Sequence, residues 1–174
     1  MKIKKKSVAG FILLLLLDQL TKLWAVTSLK FSESIPVIPN VLELYYLENR
    51  GAAFGMMQNR QWFFLLITVA VLAILIWVSR KIPEEKHFLP LKACIYFIGA
   101  GAVGNMIDRV FRKYVVDFIY FTLIDFPVFN VADIYVTGAA IVLAVLVLVY
   151  YKDADFERIF SKKTGGWLHG KDRK

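Results

Sequence analysis

Four long apolar runs dominate the pattern of hydrophobic and polar positions along the chain. They cover residues of about 7–28, 61–79, 88–107 and 132–151. A bilayer core about 30 Å thick takes roughly 20 apolar residues of helix, so each run is long enough to span it. The runs are apolar all round, whereas the helices of a soluble bundle keep a polar outer face. The pattern therefore predicts an integral membrane protein, mainly α, with four transmembrane helices.

Two segments between the runs have a different pattern. Residues 29–60 contain IPVIPNVLELYYLENRG, and residues 108–131 contain YVVDFIYF. Aromatic and β-branched residues bounded by Pro, Asn and Gly are typical of short strands joined by turns. We therefore expect these two segments to form a small β-rich cap on one face of the membrane.

The basic residues orient the predicted spans. The chain has 22 Lys and Arg against 14 Asp and Glu, a net charge of +8. With both termini cytoplasmic, fourteen basic residues flank the inner ends of the spans and six lie outside, as the positive-inside rule favours. The cap then lies on the outer face, residues 1–151 form the membrane domain, and residues 152–174 form a basic cytoplasmic tail. The basic excess is expected to meet anionic lipid headgroups, with no nucleic-acid partner.

The first run has an alternative interpretation as a cleaved signal peptide. The basic MKIKKK precedes an apolar stretch, as in a secretory signal. The residues that follow are DQLTK, however, where a cleaved signal peptide has a small-residue cleavage box. A membrane span is therefore the favoured interpretation.

Acidic residues within or beside the apolar runs are the main candidates for function. An ionisable group at membrane depth costs about 3 kcal/mol on insertion scales, so it needs a reason. Four residues stand in such positions: Asp18, Asp108, Asp117 and Asp133.

Three of these acids have a local explanation. Asp18 and Lys22 have the i, i+4 spacing of a helix ion pair. Asp133 has the spacing of the N3 partner of a helix N-cap at Asn130. Asp108 shares a helical face with Asn105 and Arg109, so that face forms its own polar group. Asp117 lies among apolar residues and needs a partner elsewhere in the fold.

Two carboxyls at a membrane boundary offer a specific hydrolytic chemistry. Like charges at close range do not both ionise cheaply, so the pair holds one general acid and one general base. The base can activate water for attack on a peptide carbonyl. Cys94 is the single cysteine and lies in a span, while His87 and His169 are predicted to be cytoplasmic. We therefore expect no disulfide, no metal and no cofactor.

Two other functional classes remain as alternatives. A small ion-coupled transporter or channel would also carry acids within the membrane. Here the acids gather at the outer boundary and do not continue through the second and fourth spans. A non-catalytic lipid-binding module would explain the basic flanks but gives no reason for Asp117.

Five short motifs, in this order on a four-span chain, resemble one family closely. That family is the bacterial lipoprotein signal peptidases, also called signal peptidase II. The motifs are DQLTK at 18–22, ENRGAAFG at 48–55, GNMIDR at 104–109, VVDFI at 115–119 and FPVFNVAD at 126–133.

The resemblance implies an intramembrane aspartic endopeptidase of the bacterial cell membrane. Such an enzyme removes the signal peptide from diacylglyceryl-modified prolipoproteins, cutting before the lipidated cysteine. Asp117 and Asp133 match the catalytic dyad of the family. Its other functional positions fall on Asp18, Asn49, Gly51, Gly104, Asn105, Asp108, Arg109 and Asn130. The expected partners are lipidated prolipoproteins and membrane lipids, and no feature of the sequence indicates an oligomer.

Overall fold

The computed structural model describes residues 5–51 and 60–160. Within these ranges the chain forms five α-helices and three strands. They are α1 Lys5–Ser28, β1 Ile35–Ile38, β2 Leu42–Asn49, α2 Gln61–Lys81, α3 Leu89–Phe111, β3 Val115–Tyr120, α4 Val131–Val145 and α5 Asp153–Phe160. A π-helical turn, Leu146–Tyr150, continues α4. The end of the ENRGAAFG motif and most of the predicted tail, residues 52–59 and 161–174, lie outside the described residues.

Four helices in the described part of the chain are long and apolar enough to cross a membrane, which confirms the predicted fold class. These spans are Ser7–Ser28, Gln61–Lys81, Lys86–Phe111 and Val131–Tyr150. α2 has no buried residue, and an apolar surface of that extent is suited to lipid contact. The third span extends beyond its predicted end at 107, because α3 continues to Phe111. Asp108 and Arg109 therefore lie on a helix.

Local sequence explains how the helices near the cap begin and end. α3 has Pro90 in its first turn. Backbone N–H groups in the first turn make no hydrogen bond within the helix, so proline, which lacks this group, is tolerated there. At the other end of α3, Lys113 has a φ of 66°, and this left-handed residue turns the chain directly into β3. α4 begins after Asn130, which forms a reciprocal capping box with Asp133.

The cap contains an antiparallel sheet of order β1-β2-β3 within residues 35–120, as the outer segments predict. In the register of β2 and β3, Asn49 lies opposite Val115 and Leu47 lies opposite Asp117. Side chains two residues apart lie on the same face of a strand, and diagonal neighbours across two strands are within reach of each other. The register thus makes Asn49 a diagonal neighbour of Asp117.

The two faces of β3 have different surroundings. Val116 and Phe118 are buried against Ala25 of α1 and against Leu29, the residue that follows this helix. Because side chains alternate along a strand, Asp117 between them points to the opposite face. Packing of β3 on α1 therefore directs Asp117 away from the apolar core and toward the start of α4.

A second apolar cluster lies at the N-terminal end of α3. Ile159 of α5 is buried there with Ile82, Phe88 and Tyr151. Arg158 of α5 also forms an ion pair with Glu85. The first part of the predicted tail is therefore a short helix packed against the spans, at the end of α3 opposite the sheet.

Candidate active site

Asp117 on β3 and Asp133 in the first turn of α4 line the same cleft. Asn130 connects them. Its Nδ2 donates to Asp117 Oδ1 at 2.6 Å, and its backbone N–H donates to Asp133 Oδ2 at 3.1 Å. The partner that Asp117 lacks in its own segment is thus supplied by Asn130, and also by Asn49, whose Nδ2 donates to Asp117 Oδ2 at 2.8 Å.

Asn130 serves as a helix cap and as the link between the carboxyls. Its Oδ1 accepts the backbone N–H of Asp133 at 3.1 Å, so the capping interpretation is confirmed. An amide oxygen held on this N–H leaves the amide nitrogen free to donate elsewhere. The cap therefore determines that Asn130 Nδ2 faces Asp117, and the capping and active-site interpretations are compatible.

Asp117 is 1% exposed, and its surroundings favour the protonated form. Burial raises the pKa of Asp117 to about 7, and the negative charge of Asp133 acts in the same direction. The amide donors of Asn49 and Asn130 and the charge of Lys22 oppose this rise. Near neutral pH the carboxyl is therefore present both protonated and ionised, which suits a group that transfers protons in catalysis.

Asn105 on α3 holds the second carboxyl. Its Nδ2 donates to Asp133 Oδ1 at 2.8 Å. Its Oδ1 accepts from Lys22 Nζ at 2.8 Å and from Asn130 Nδ2 at 3.2 Å. Each oxygen of Asp133 therefore has a donor from a different segment, Oδ1 from α3 and Oδ2 from the residue before α4.

A buried ion cluster lies directly behind these amides. Lys22 Nζ is 3.0 Å from Asp18 Oδ2 and 3.3 Å from Asp108 Oδ2, with all three side chains 0% exposed. Asp18 Oδ1 accepts the backbone N–H of Ala132 at 3.0 Å, and Asp108 Oδ2 accepts that of Val116 at 3.1 Å. Through these contacts α1 and α3 fix the positions of the backbone beside both Asp133 and Asp117.

Gly104 gives this cluster its space. A Cβ at position 104 would overlap Asp18 Oδ2, so a side chain there would displace the carboxylate from Lys22. A Cβ at Gly101, one turn earlier, would likewise overlap the backbone oxygen of Ala132. The small residues of α3 therefore allow α1 and α4 to approach closely enough for the polar contacts to form.

Arg109 lies at the edge of the cleft on α3. Its guanidinium stacks 5.1 Å from the ring centroid of Phe64, and its Nη1 donates to the backbone oxygen of Asn105 at 3.4 Å. Among the described residues, its buried Nε has no hydrogen-bond partner. The side chain thus holds a positive charge and an unused donor beside the two carboxyls.

The cleft has a volume of about 560 Å³ and combines a polar end with a long apolar wall. Asn49, Gly51, Asn105 and Arg109 join the two aspartates at the polar end. The backbone N–H of Gly51 donates to Asn49 Oδ1 at 3.0 Å, which fixes the Asn49 amide toward Asp117. The apolar wall follows one side of α4 and the segment before it: Phe126, Pro127, Val128, Phe129, Ile134, Thr137, Gly138 and Ile141. Such a cleft can take an extended apolar substrate past paired carboxyls.

The structure brings all ten sequence-predicted site residues into one connected group. Six of them line the cleft, Asp18 and Asp108 belong to the ion cluster behind it with Gly104 beside them, and Asn130 links the two carboxyls. Lys22 is the residue that sequence reasoning undervalued, because its spacing from Asp18 indicated an ordinary helix pair. Its position inside an apolar run was the available signal, since a Lys at membrane depth needs partners from other helices. Within the described residues no cluster of His, Cys, Asp and Glu could hold a metal ion.

Comparison with known proteins gives a consistent result. The family model described as signal peptidase (SPase) II matches residues 10–149. The lipoprotein signal peptidases of Streptococcus pyogenes serotype M5 (strain Manfredo) and serotype M18 (strain MGAS8232) are each 40% identical over 153 residues, which is 88% of this chain and 97% of theirs.

Solved structures agree with the sequence relatives. A bacterial membrane enzyme determined by the in meso method at 2.3 Å resolution superposes with a TM-score of 0.75 at 32% identity, covering 94% of this chain and 96% of that chain. A second such structure, at 1.9 Å resolution, gives a TM-score of 0.74 at 33% identity over 86% of this chain and 96% of that chain.

Proposed function

The chain belongs to the signal peptidase II family, and we propose that it cleaves the signal peptide of diacylglyceryl-modified prolipoproteins immediately before the lipidated cysteine. Membership of the family makes it a peptidase of the cell membrane with several spans. The name of its relatives, lipoprotein signal peptidase, supports this substrate class. The apolar wall of the cleft also suits a substrate that carries an apolar signal segment and acyl chains.

The chemistry we propose is aspartic, with Asp117 and Asp133 acting on one water. Asp133 stands at the N-terminus of α4, where the helix dipole favours a carboxylate. It takes a proton from the water as the oxygen attacks the scissile carbonyl carbon. Asp117, which burial keeps partly protonated, gives its proton first to the carbonyl oxygen. As the peptide bond breaks, Asp133 passes the proton it took from the water to the departing nitrogen, and Asp117 recovers its proton from the hydroxyl group as the carbonyl re-forms.

The observation that carries this mechanism is the double contact of Asn130. One side-chain donor and one backbone donor of the same residue reach both carboxyls. The pair is thereby held in one arrangement before substrate binds, and such pre-organisation accounts for much of enzymatic rate enhancement. Asn105 and Asn49 fix the remaining carboxylate oxygens, and Arg109 supplies a donor for the substrate backbone.

The topology belongs to the same proposal. The positive-inside distribution supports both termini in the cytoplasm and the sheet and cleft on the outer face. A substrate spanning the membrane with its signal peptide would then bring its cleavage site to the outer boundary. Residues 1–151 form the peptidase domain, and residues 152–174 form a basic segment on the inner face, next to anionic lipid.

Substitution of each aspartate tests the dyad. Asp117→Asn and Asp133→Asn keep the side-chain shape and remove the proton transfer, so each is expected to leave lipidated prolipoprotein uncut. Asp125→Asn is the matched control, because Asp125 is an exposed aspartate near the sheet that lies outside the cleft and accepts from Tyr120 Oη at 2.6 Å. Cleavage is followed with purified protein and a lipidated substrate by gel shift. Wild-type rates in either dyad variant would exclude the mechanism.

A further inference from the structure

The ammonium group of Lys22 is completely buried, and it contacts a neutral amide in addition to the two acids whose charge it balances. Besides Asp18 and Asp108 it donates to Asn105 Oδ1 at 2.8 Å. Asn105 in turn donates to Asp133. We propose that Lys22 is a positioning residue of the reaction, which orients the Asn105 amide so that its nitrogen, and not its oxygen, faces the Asp133 carboxylate.

Donor and acceptor chemistry supports this role. An ammonium has three N–H donors and no acceptor, so the amide atom that faces it must be the oxygen. With Oδ1 held on Lys22, Nδ2 of Asn105 can only point toward Asp133. A flipped amide would set its oxygen against the carboxylate, and Asp133 would lose the donor on Oδ1. Asn130 Nδ2 also reaches Asn105 Oδ1, but at 3.2 Å and without charge.

The acids of the cluster have other donors within reach. Asp108 has Arg112 Nε at 3.3 Å as a second cation and the Val116 N–H as a donor. Asp18 accepts from Gln19 Nε2 at 3.0 Å and from the Ala132 N–H. Asn105 Oδ1, by contrast, has Lys22 as its single charged donor among the described residues. The contact with Asn105 is therefore the one that loss of the ammonium would leave least compensated.

A double-mutant cycle tests the inference, which rests on the proposed function. Lys22→Met and Asn105→Ala are each expected to lower kcat about 10- to 100-fold with KM unchanged, the effect of losing a charge-assisted hydrogen bond that holds a reacting group. If Lys22 acts through Asn105, the double variant is no slower than Asn105→Ala alone. Lys22→Met combined with Asn49→Ala is the control, and there the two losses should multiply. Multiplying losses in the Lys22 and Asn105 pair would overturn the inference.

A neutral pair keeps the test valid if Lys22→Met alone does not fold. Asp18→Asn with Lys22→Met removes one charge of each sign, and the amide oxygen at position 18 can still accept from Ala132. The melting temperature of this double variant shows whether it folds, and its kcat is compared with that of the single variant Asp18→Asn. A kcat equal to that of Asp18→Asn would mean that Lys22 only balances charge and would refute positioning. A kcat about 10- to 100-fold lower supports it.

A spectroscopic measurement separates this inference from the proposed function. The infrared carboxylate band that disappears in Asp133→Asn reports Asp133 without any turnover. Lys22→Met and Asn105→Ala should shift this band alike, whereas Asn49→Ala should leave it unchanged. An unshifted band in Lys22→Met refutes the inference even if the enzyme proves active, while failure of cleavage in the wild type would count against the proposed function alone.

Discussion

The protonation of Asp117 makes a quantitative prediction for Asn49→Leu. Asn49 Nδ2 donates to Asp117 Oδ2 at 2.8 Å and thereby favours the ionised form, lowering the pKa of Asp117 against the effects of burial and Asp133. Leucine has a similar volume and no donor. Replacing Asn49 with leucine should therefore raise the pKa of Asp117 above about 7.

The size of the shift follows from the contact that is lost. A hydrogen bond to a charged group contributes about 1.5–3 kcal/mol, and one pKa unit corresponds to about 1.4 kcal/mol. Asn49 is only half-buried, so water can partly replace its amide, and the lower value applies. Asp117 also keeps the Asn130 donor at 2.6 Å. We expect a rise of about one unit.

The assay is the pH dependence of kcat/KM with a lipidated peptide. In the proposed mechanism Asp117 must be protonated, so activity falls as pH rises through its pKa, and this alkaline limb should move up by about one unit in Asn49→Leu. Asn40→Gly is the control, since Asn40 is an exposed turn residue with a φ of 60° that glycine adopts readily. An alkaline limb that stays in place or moves down in a folded Asn49→Leu protein would refute the assignment of the proton to Asp117.

Two further predictions concern stability. Gly104→Ala places a methyl group against the Asp18 carboxylate and should destabilise the fold by about 1–3 kcal/mol. Gly10→Ala is the control and should not destabilise it, because nothing lies within 4 Å of a Cβ at position 10. Equal melting temperatures of the two variants in detergent would contradict the close packing at Gly104. Because burial raises the pKa of Asp117 from 3.8 to about 7, the folded state binds more protons between these pH values and stability should decline as pH rises through them, by up to roughly 4 kcal/mol. Asp117→Asn should flatten this decline and Asp125→Asn should keep it, as measured by thermal unfolding across pH; a decline that persists in Asp117→Asn would mean that another group causes it.

Much of the fold follows from patterns that a sequence contains locally. The four apolar runs, the strand-like outer segments and the Asn130 capping box each depend on residues close together in the chain. Asp117 could be singled out because nothing within its own segment explains it.

The partners of these residues depend on long-range geometry. Asn49 reaches Asp117 because β2 and β3 pair in one register, and a shift of one residue would turn Asn49 to the other face. The threefold contact of Lys22 depends on how closely α1 approaches α3. Neither the register nor the helix separation is specified by residue spacing, so the sequence indicated which side chains matter but not which of them meet.

Asn130 has a consequence for biosynthesis. The donors to the two carboxyls come from the β2 strand, from α3 and from the residue before α4. Of the four spanning helices, α4 is the last to leave the ribosome. Until that helix forms, Asn130 has no helix N-terminus to cap, so its amide is not oriented toward Asp117. Asp133 has also not yet been brought close to Asp117. A partly inserted chain therefore has the aspartates without the arrangement that the proposed mechanism requires. On that mechanism, the chain gains activity only when its own membrane insertion is complete.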